Sequence, residues 1–222
     1  MDFVSSRMNT RPLTESECAM MRSSFDGKYA ARDAALFELG IRTGFRISEL
    51  LAVNVGHVYQ NGKMLSSVTV AKCWMKGRKR SRTLPLNTAA SHAMLRWIMN
   101  AGFNAPEYAD QPLFCRQHTA KRLSRAQAWN IIKQAAMKAG LDTDRVACHS
   151  LRKTFATKMW HNPLINKDMA KMAKILGHQN YNNCLRYLEW LDGSLENAVL
   201  GSDEIGEGIQ FTRAQMIGSH TV

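Results

Sequence analysis

Acidic residues are scarce in this sequence: 18 Asp and Glu stand against 30 Lys and Arg, which leaves a formal net charge of +12. The few carboxylates do not cluster, so the sequence offers no set of ligands for a two-metal centre, and we expect neither a metal nor a cofactor. A large excess of positive charge attracts polyanions to a protein surface. Nucleic acid is therefore the leading candidate partner.

Cysteines and long apolar runs are also limited. The five cysteines are scattered and form no C-x-x-C pair, which argues against a disulfide framework and against a zinc site. No apolar run approaches the roughly 20 residues that span a bilayer. Residues 1–7 lack the basic-then-apolar order of a secretion signal. We therefore expect a cytoplasmic protein without a membrane partner.

Helical periodicity dominates the pattern that is present. Thr14 and Glu17 have the spacing of a capping box at the start of a first helix. A second helix is predicted over residues 28–43, ended by Gly44, and a short helical turn from Ile47 to Leu51. Later helices are predicted from apolar stripes over 90–101, 128–139 and 169–176, and over residues 150–160.

Between about residues 54 and 86 the pattern changes to alternation. Val68 and Val70 alternate with polar residues, and Asn61-Gly62 is a strong turn signal. Arg82 to Leu86 is typical of a closing strand. The sequence thus predicts an α+β fold, a mainly helical body with a small three-stranded antiparallel sheet. The expected organisation is a loose leader at 1–11, one domain at 12–200, and a C-terminal tail at 201–222.

Four separated islands carry basic or nucleophilic residues at helix boundaries or turns. Each alone has an ordinary structural explanation, such as a surface ion pair, a solvated turn, a helix cap or a core tyrosine. In the first island a carboxylate three residues on can hold an arginine in one orientation. The islands are Thr43–Leu50 with Arg46 and Glu49, Lys76–Arg80, His149-Ser150-Leu151-Arg152, and Leu176-Gly177-His178 with Tyr187 nine positions later.

Together the islands supply the groups that a metal-free phosphoryl transfer needs. Arginine guanidinium groups bind non-bridging phosphate oxygens in pairs and offset the charge that builds up in the transition state. A tyrosine hydroxyl can attack phosphorus and conserve the energy of the phosphodiester in a phosphotyrosine bond. Histidine or lysine can carry protons to and from the reacting oxygens.

The order Arg, Lys, His-x-x-Arg, His, Tyr resembles the tyrosine recombinase, or phage integrase, family, from about Leu13 to Leu191. The resemblance implies that Arg46 and Arg152 bind the phosphate, and that Tyr187 becomes linked to a DNA 3′ phosphate. It gives His149 and His178 the tasks of supporting the phosphate and moving protons.

The family's lysine lies on a β-hairpin and protonates the departing 5′ oxygen. Lys76 fits this position best. The segment is one residue longer than the usual spacing, so Lys72 and Lys79 stay open as alternatives. Tyr181 is a second tyrosine near His178, but it falls too early for the nucleophile.

The resemblance further implies site-specific recombination, that is integration, excision or inversion, by a homo-tetramer on paired double-stranded DNA sites of bacterial or phage origin. Family members usually carry an N-terminal helical domain that closes over the other face of DNA. Here we expect the catalytic domain to begin at about Pro12, as in the short fimbrial phase-variation recombinases, and a fragment of a longer protein would look the same. We therefore expect salt-sensitive DNA binding unless neighbouring protomers or accessory DNA-binding proteins help. The tail is either disordered or docks on a neighbouring protomer.

Two other functions stay open on the residues alone. A type IB topoisomerase resembles this family in its active site, and a DNA-binding regulator could derive from a recombinase and no longer cleave. A base-reading helix would be expected in a sequence-specific binder, and residues 121–134 are the candidate, with a solvated helix face as the alternative. The predicted DNA contacts are Arg78, Lys79, Arg80, Arg122, Arg125 and Lys153.

Overall fold

The computed structural model describes residues 10–74, 81–116 and 121–178. Within these ranges the chain is mostly helical with small antiparallel sheets, which confirms the predicted α+β class. No helix there is both long and apolar enough to cross a membrane. The helices are α1 Glu15–Ser23, α2 Ala30–Thr43, α3 Ile47–Leu51, α4 Thr88–Ala101, α5 Arg125–Lys138, α6 Cys148–Trp160 and α7 Met169–Leu176. The strands are β1 Tyr59–Gln60, β2 Lys63–Met64, β3 Ser67–Val70 and β4 Arg82–Pro85.

Helix α2 is the central element of the fold, because it is buried on two sides. Leu36 and Leu39 pack into a core shared with α4 and the strands. Phe37 and Ile41 pack into a second core shared with α1 and α5. A helix with apolar residues around most of its circumference is stable only inside a protein. The end of α2 is therefore held firmly in place.

Two glycines bring α6 unusually close to α2. A Cβ atom at Gly40 would lie 2.7 Å from Leu151 Cδ1, and one at Gly44 would lie 2.3 Å from Phe155 Cδ1. Gly44 also ends α2 with a φ of 58°, in the left-handed region that favours glycine. Positions four apart share one helix face. The glycines thus form a notch along which α6 lies against α2.

The strands pair differently from the single three-stranded sheet that the sequence predicts. Among the described residues β1 pairs with β2 and β3 pairs with β4, in two antiparallel pairs. Leu65 N–H donates to Val58 O, whereas Ser66 O accepts from Leu86 N–H. In an extended segment the backbone N–H and C=O groups of consecutive residues point to opposite edges. Leu65 therefore bonds to the chain before β1, and Ser66 bonds to the chain after β4. The turn at Asn61-Gly62 is confirmed, with φ values of 50° and 78°.

The local helix signals are confirmed. Thr14 and Glu17 form the predicted capping box, and Ser124 caps α5 through the backbone N–H of Gln127. The apolar stripes face the cores, as at Met94 and Ile98. At the end of the predicted leader, Thr10 is buried and the backbone N–H of Arg11 donates to Arg145 O over 2.9 Å. Residues 1–9 and the predicted tail lie outside the described ranges.

Candidate active site

Arg46 and Glu49 form one rigid unit at the start of α3. The backbone N–H of Arg46 donates to Glu49 Oε2 over 2.9 Å, and Arg46 Nη1 donates to Glu49 Oε1 over 2.7 Å. The Glu49 side chain is fully buried, whereas that of Arg46 is 28% exposed. A guanidinium carries five N–H donors. Arg46 can therefore bind an oxyanion with the donors that do not face Glu49.

Arg152 comes from the middle of α6 and is only 1% exposed. Its Nη1 donates to Gly44 O over 2.6 Å, and its Nη2 donates to Leu176 O over 2.7 Å. Gly44 and Leu176 stand at the C-terminal ends of α2 and α7. The last carbonyls of a helix lack partners within it and carry the negative end of its dipole. These two helix ends therefore make burial of the Arg152 charge tolerable.

His178 completes this arrangement beside Arg152. Arg152 Nη2 lies 2.8 Å from His178 Nε2. A guanidinium can only donate, so Nε2 accepts and the ring is neutral in this geometry. Burial, followed by the positive charges of Arg152, Arg46, Arg82 and His149, lowers the pKa of His178 to about 3. The imidazole is therefore uncharged at neutral pH, and its Nε2 accepts a hydrogen bond from Arg152.

His149 lies in the first turn of α6 and is exposed. It stands three residues before Arg152, on the same side of the helix. Its charge is close enough to contribute to the lowered pKa of His178. An exposed imidazole at this position can exchange protons with solvent and with a bound substrate.

Arg82 is a site residue that the sequence reasoning missed. It is the first residue of β4, is 6% exposed, and lies opposite the buried Val70 in the β3–β4 register. Burial, followed by the charge of Arg152, lowers the pKa of Arg82 to about 9. Side chains alternate between the two faces of a strand, so Arg82 lies on the same buried face of β4 as Leu84. An arginine on the apolar face of a predicted strand was the signal in the sequence that could have identified it.

Two of the predicted DNA contacts make hydrogen bonds within the protein. Lys153 is buried and its Nζ donates to the carbonyl of Thr10, because this face of α6 packs against the segment that precedes α1. Arg122 Nη1 donates to Leu51 O over 2.5 Å and its Nη2 donates to Asn54 Oδ1 over 3.0 Å. Arg122 thus braces the loop after α3. Arg125 is exposed at the first residue of α5, as a DNA contact requires.

The remaining predicted residues fall partly outside the described ranges. Lys72 is exposed, and its backbone N–H donates to Ser81 Oγ over 3.1 Å. No group of three or more His, Cys, Asp or Glu side chains suited to a metal ion occurs in the described ranges. The predicted residues outside those ranges are Lys76, Arg78, Lys79, Arg80, Tyr181 and Tyr187.

The described side chains thus bring three arginines, two histidines and one buried carboxylate together. Such an arrangement can bind a phosphodiester through paired donors and offset the additional negative charge of a pentacoordinate phosphorus. The exposed imidazole of His149 offers a proton acceptor beside it.

Comparison with known proteins agrees with this chemistry. The model described as "Phage integrase family" matches residues 12–192. The chain is 29% identical to tyrosine recombinase XerD of Oceanobacillus iheyensis over 170 residues, 76% of this chain and 53% of the relative. It is 31% identical to tyrosine recombinase XerC of Herpetosiphon aurantiacus over 161 residues, 72% of this chain and 49% of the relative. The chain thus spans about half the length of these relatives.

A solved structure has a similar fold. The XerH site-specific recombinase, in a post-cleavage complex with its palindromic difH substrate, matches with a TM-score of 0.67 and 22% identity, over 89% of this chain and 55% of that one. This likeness concerns the fold. Because the family model covers most of the sequence and the fold agrees, the chain belongs to the phage integrase family of tyrosine recombinases.

Proposed function

We propose that this chain is the catalytic domain of a site-specific recombinase that cuts and rejoins double-stranded DNA through a covalent bond between Tyr187 and a 3′ phosphate. The observation that carries the proposal is the anchoring of Arg152. This buried arginine of α6 is bonded to Gly44 O, two residues before Arg46, and to His178. Two phosphate-binding arginines far apart in sequence are thereby held in one place.

In the proposed reaction, Arg46 and Arg152 bind the non-bridging oxygens of the scissile phosphate. The Tyr187 oxygen attacks phosphorus and its proton passes to His149. The bond from phosphorus to the 5′ oxygen breaks, and that oxygen takes a proton from Lys76. In the reverse direction a 5′ hydroxyl of a partner strand attacks the phosphotyrosine, which releases Tyr187 and reseals the DNA. In that step the proton of the 5′ hydroxyl returns to Lys76, and the proton on His149 returns to Tyr187.

Neutral His178 fits a supporting task in this scheme. Its Nε2 accepts from Arg152, which orients the guanidinium towards the phosphate. Because the ring is neutral, it adds no further positive charge beside the three nearby arginines.

Double-stranded DNA is the proposed partner, supported by the net charge of +12 and by the substrate complex of the similar XerH. We propose a homo-tetramer on paired sites, with accessory DNA-binding proteins as possible helpers. Arg125, at the exposed start of α5, and the basic run Arg78, Lys79 and Arg80 are the proposed DNA contacts. A positively charged surface of this kind gives strongly salt-dependent binding. The cytoplasm is the proposed location.

Covalent trapping tests the reaction. The wild type, Tyr187→Phe and Tyr181→Phe are incubated with nicked DNA sites drawn from the sequence flanking the gene, and run on a denaturing gel. We expect a protein–DNA adduct with the wild type and with Tyr181→Phe, and none with Tyr187→Phe. The Tyr181 variant is the matched control, since it loses the same hydroxyl from a nearby position.

Three outcomes contradict parts of the proposal. An adduct that persists in Tyr187→Phe and disappears in Tyr181→Phe moves the nucleophile to Tyr181. Bound DNA with no adduct on any site favours the non-cleaving regulator. Relaxation of supercoiled plasmids without any preferred site favours the topoisomerase.

A further inference from the structure

Arg82 contacts the segment that carries Arg46 from a different element. Its Nη2 donates to Thr43 O over 2.7 Å, and its guanidinium carbon lies 4.5 Å from the centre of the Phe45 ring. Its Nη1 lies 3.5 Å from Glu49 Oε2. These three partners flank Arg46 on both sides. Arg82 therefore contacts Glu49, which holds the Arg46 side chain, and two residues that precede Arg46 in the chain.

Glu49 is shared between the two arginines. Oxygen Oε1 accepts from the Arg46 side chain, and Oε2 accepts from the Arg46 backbone and faces Arg82. A fully buried carboxylate needs positive charge and donors close to it. Without Arg82, Glu49 would depend on Arg46 alone and would draw more of its guanidinium away from a substrate. Sharing the carboxylate leaves the exposed edge of Arg46 available.

Arg82 is held by protein groups on both terminal nitrogens and lies over the ring of Phe45. Its guanidinium is almost completely buried, and both terminal nitrogens face partners within the protein. The negative end of α2 holds it in the same way as Arg152, since Thr43 O and Gly44 O are consecutive carbonyls at that helix end. The two buried arginines therefore share one anchoring point.

We propose that Arg82 is a positioning residue, which fixes Glu49 and the α2–α3 connection so that Arg46 presents its exposed donors to the scissile phosphate. This inference rests on the proposed function, because the phosphate is the substrate of that reaction. It adds a third arginine, from strand β4, to the two arginines, Arg46 and Arg152, to which the family resemblance gives phosphate binding.

The test compares Arg82→Met and Arg82→Lys with the wild type, and uses Arg32→Met as matched control. Arg32 is equally buried, lies 4.3 Å from the Tyr29 ring centre and pairs with Asp33 at 2.7 Å, but it lies in the first turn of α2, whereas Arg82 contacts the last residue of that helix. Each protein is given saturating nicked DNA that carries either a normal phosphodiester or an uncharged methylphosphonate at the cleavage point. The single-turnover rate of adduct formation and the DNA affinity are measured separately.

We expect Arg82→Met to slow adduct formation on the phosphodiester by about 100-fold, the scale of a misplaced catalytic group. DNA affinity should change little, because Arg82 contributes no contact to DNA. The defect should shrink to about tenfold or less on the methylphosphonate, which has less charge for Arg46 to offset. Arg82→Lys should recover part of the rate, because an ammonium can face Glu49 but cannot also donate to Thr43 in the same plane. Arg32→Met should leave the ratio of the two substrates unchanged.

Two results overturn the inference: an Arg82→Met rate equal to that of the wild type, or an equal loss on both substrates. Failure of the proposed function is recognised separately, as absence of wild-type adduct on every DNA. In that case inorganic phosphate is the probe, titrated against the side-chain N–H resonance of Arg46 by NMR. Binding to the wild type that weakens about tenfold in Arg82→Met supports positioning. Equal binding, or no binding to the wild type, overturns it.

Discussion

Acidification should destabilise the folded chain through His178. Burial, followed by the charges of Arg152 and other nearby cations, lowers the pKa of this imidazole from 6.5 to about 3. The unfolded chain exposes the ring, which then binds a proton near pH 6.5. Between pH 6.5 and about 3 the unfolded state therefore holds one more proton than the folded state. The free energy of unfolding falls as the pH falls through this window.

The expected size follows from the two pKa values. Each pH unit below 6.5 costs about 1.4 kcal/mol, so lowering the pH from 7 to 5 costs about 2 kcal/mol. His178 is only half-buried as a residue, and screening by water reduces the effect to about 1 to 2 kcal/mol. For a chain of this length the melting temperature should fall by roughly 2 to 8 °C.

Urea unfolding at pH 7 and pH 5 measures this loss in the wild type and in His178→Gln. The glutamine amide can accept the hydrogen bond from Arg152 but does not titrate in this range. Other histidines and carboxylates titrate alike in both proteins, so the difference between the two losses isolates His178. Equal losses in the wild type and in His178→Gln would refute a buried neutral imidazole at this position.

Two further predictions concern the framework of the site. Gly44→Ala should reduce the free energy of unfolding by about 2 to 5 kcal/mol, since the new Cβ would clash with Phe155 and the residue has a positive φ. Gly102→Ala is the control, because Gly102 has a φ of 71° but open space around it. It should lose only about 1 to 2 kcal/mol in the same thermal or urea melts. Arg122→Ala should destabilise the fold by about 1 to 3 kcal/mol because it removes hydrogen bonds to buried acceptors. Arg125→Ala should change stability by less than about 0.5 kcal/mol and weaken DNA binding in a salt-dependent gel-shift assay; the reverse pattern in this pair would contradict both assignments.

Local signals in the sequence predicted the helices well. The capping box of Thr14 and Glu17, the end of α2 at Gly44 and the turn at Asn61-Gly62 each depend on residues a few positions apart. Their physics is contained in short windows of sequence. The same holds for Arg46 and Glu49, whose spacing of three already predicted the ion pair that the structure contains.

The basic residues were harder to assign, because sequence alone does not say which arginines and lysines are buried. In the sequence Lys153, Arg122 and Arg82 are three basic residues without distinguishing neighbours. In the structure Lys153 bonds to the segment before α1, Arg122 bonds to the loop after α3, and Arg82 bonds to the end of α2. Their partners are 143, 71 and 39 positions away in the chain. Only the packed fold brings such partners together, and the helix and strand periodicities of the sequence do not predict these pairs.

The anchoring of Arg152 also affects the order in which the active site can form. Its partners lie 108 residues earlier, at Gly44, and 24 residues later, at Leu176. Contacts over such separations form late, because the chain entropy lost in closing a long loop precedes any gain from the contact. During synthesis the contact with Gly44 cannot form before α6 has emerged, and the contact with Leu176 has to wait for α7. A chain that ends before α7 therefore lacks one of the two helix ends that hold the buried charge of Arg152.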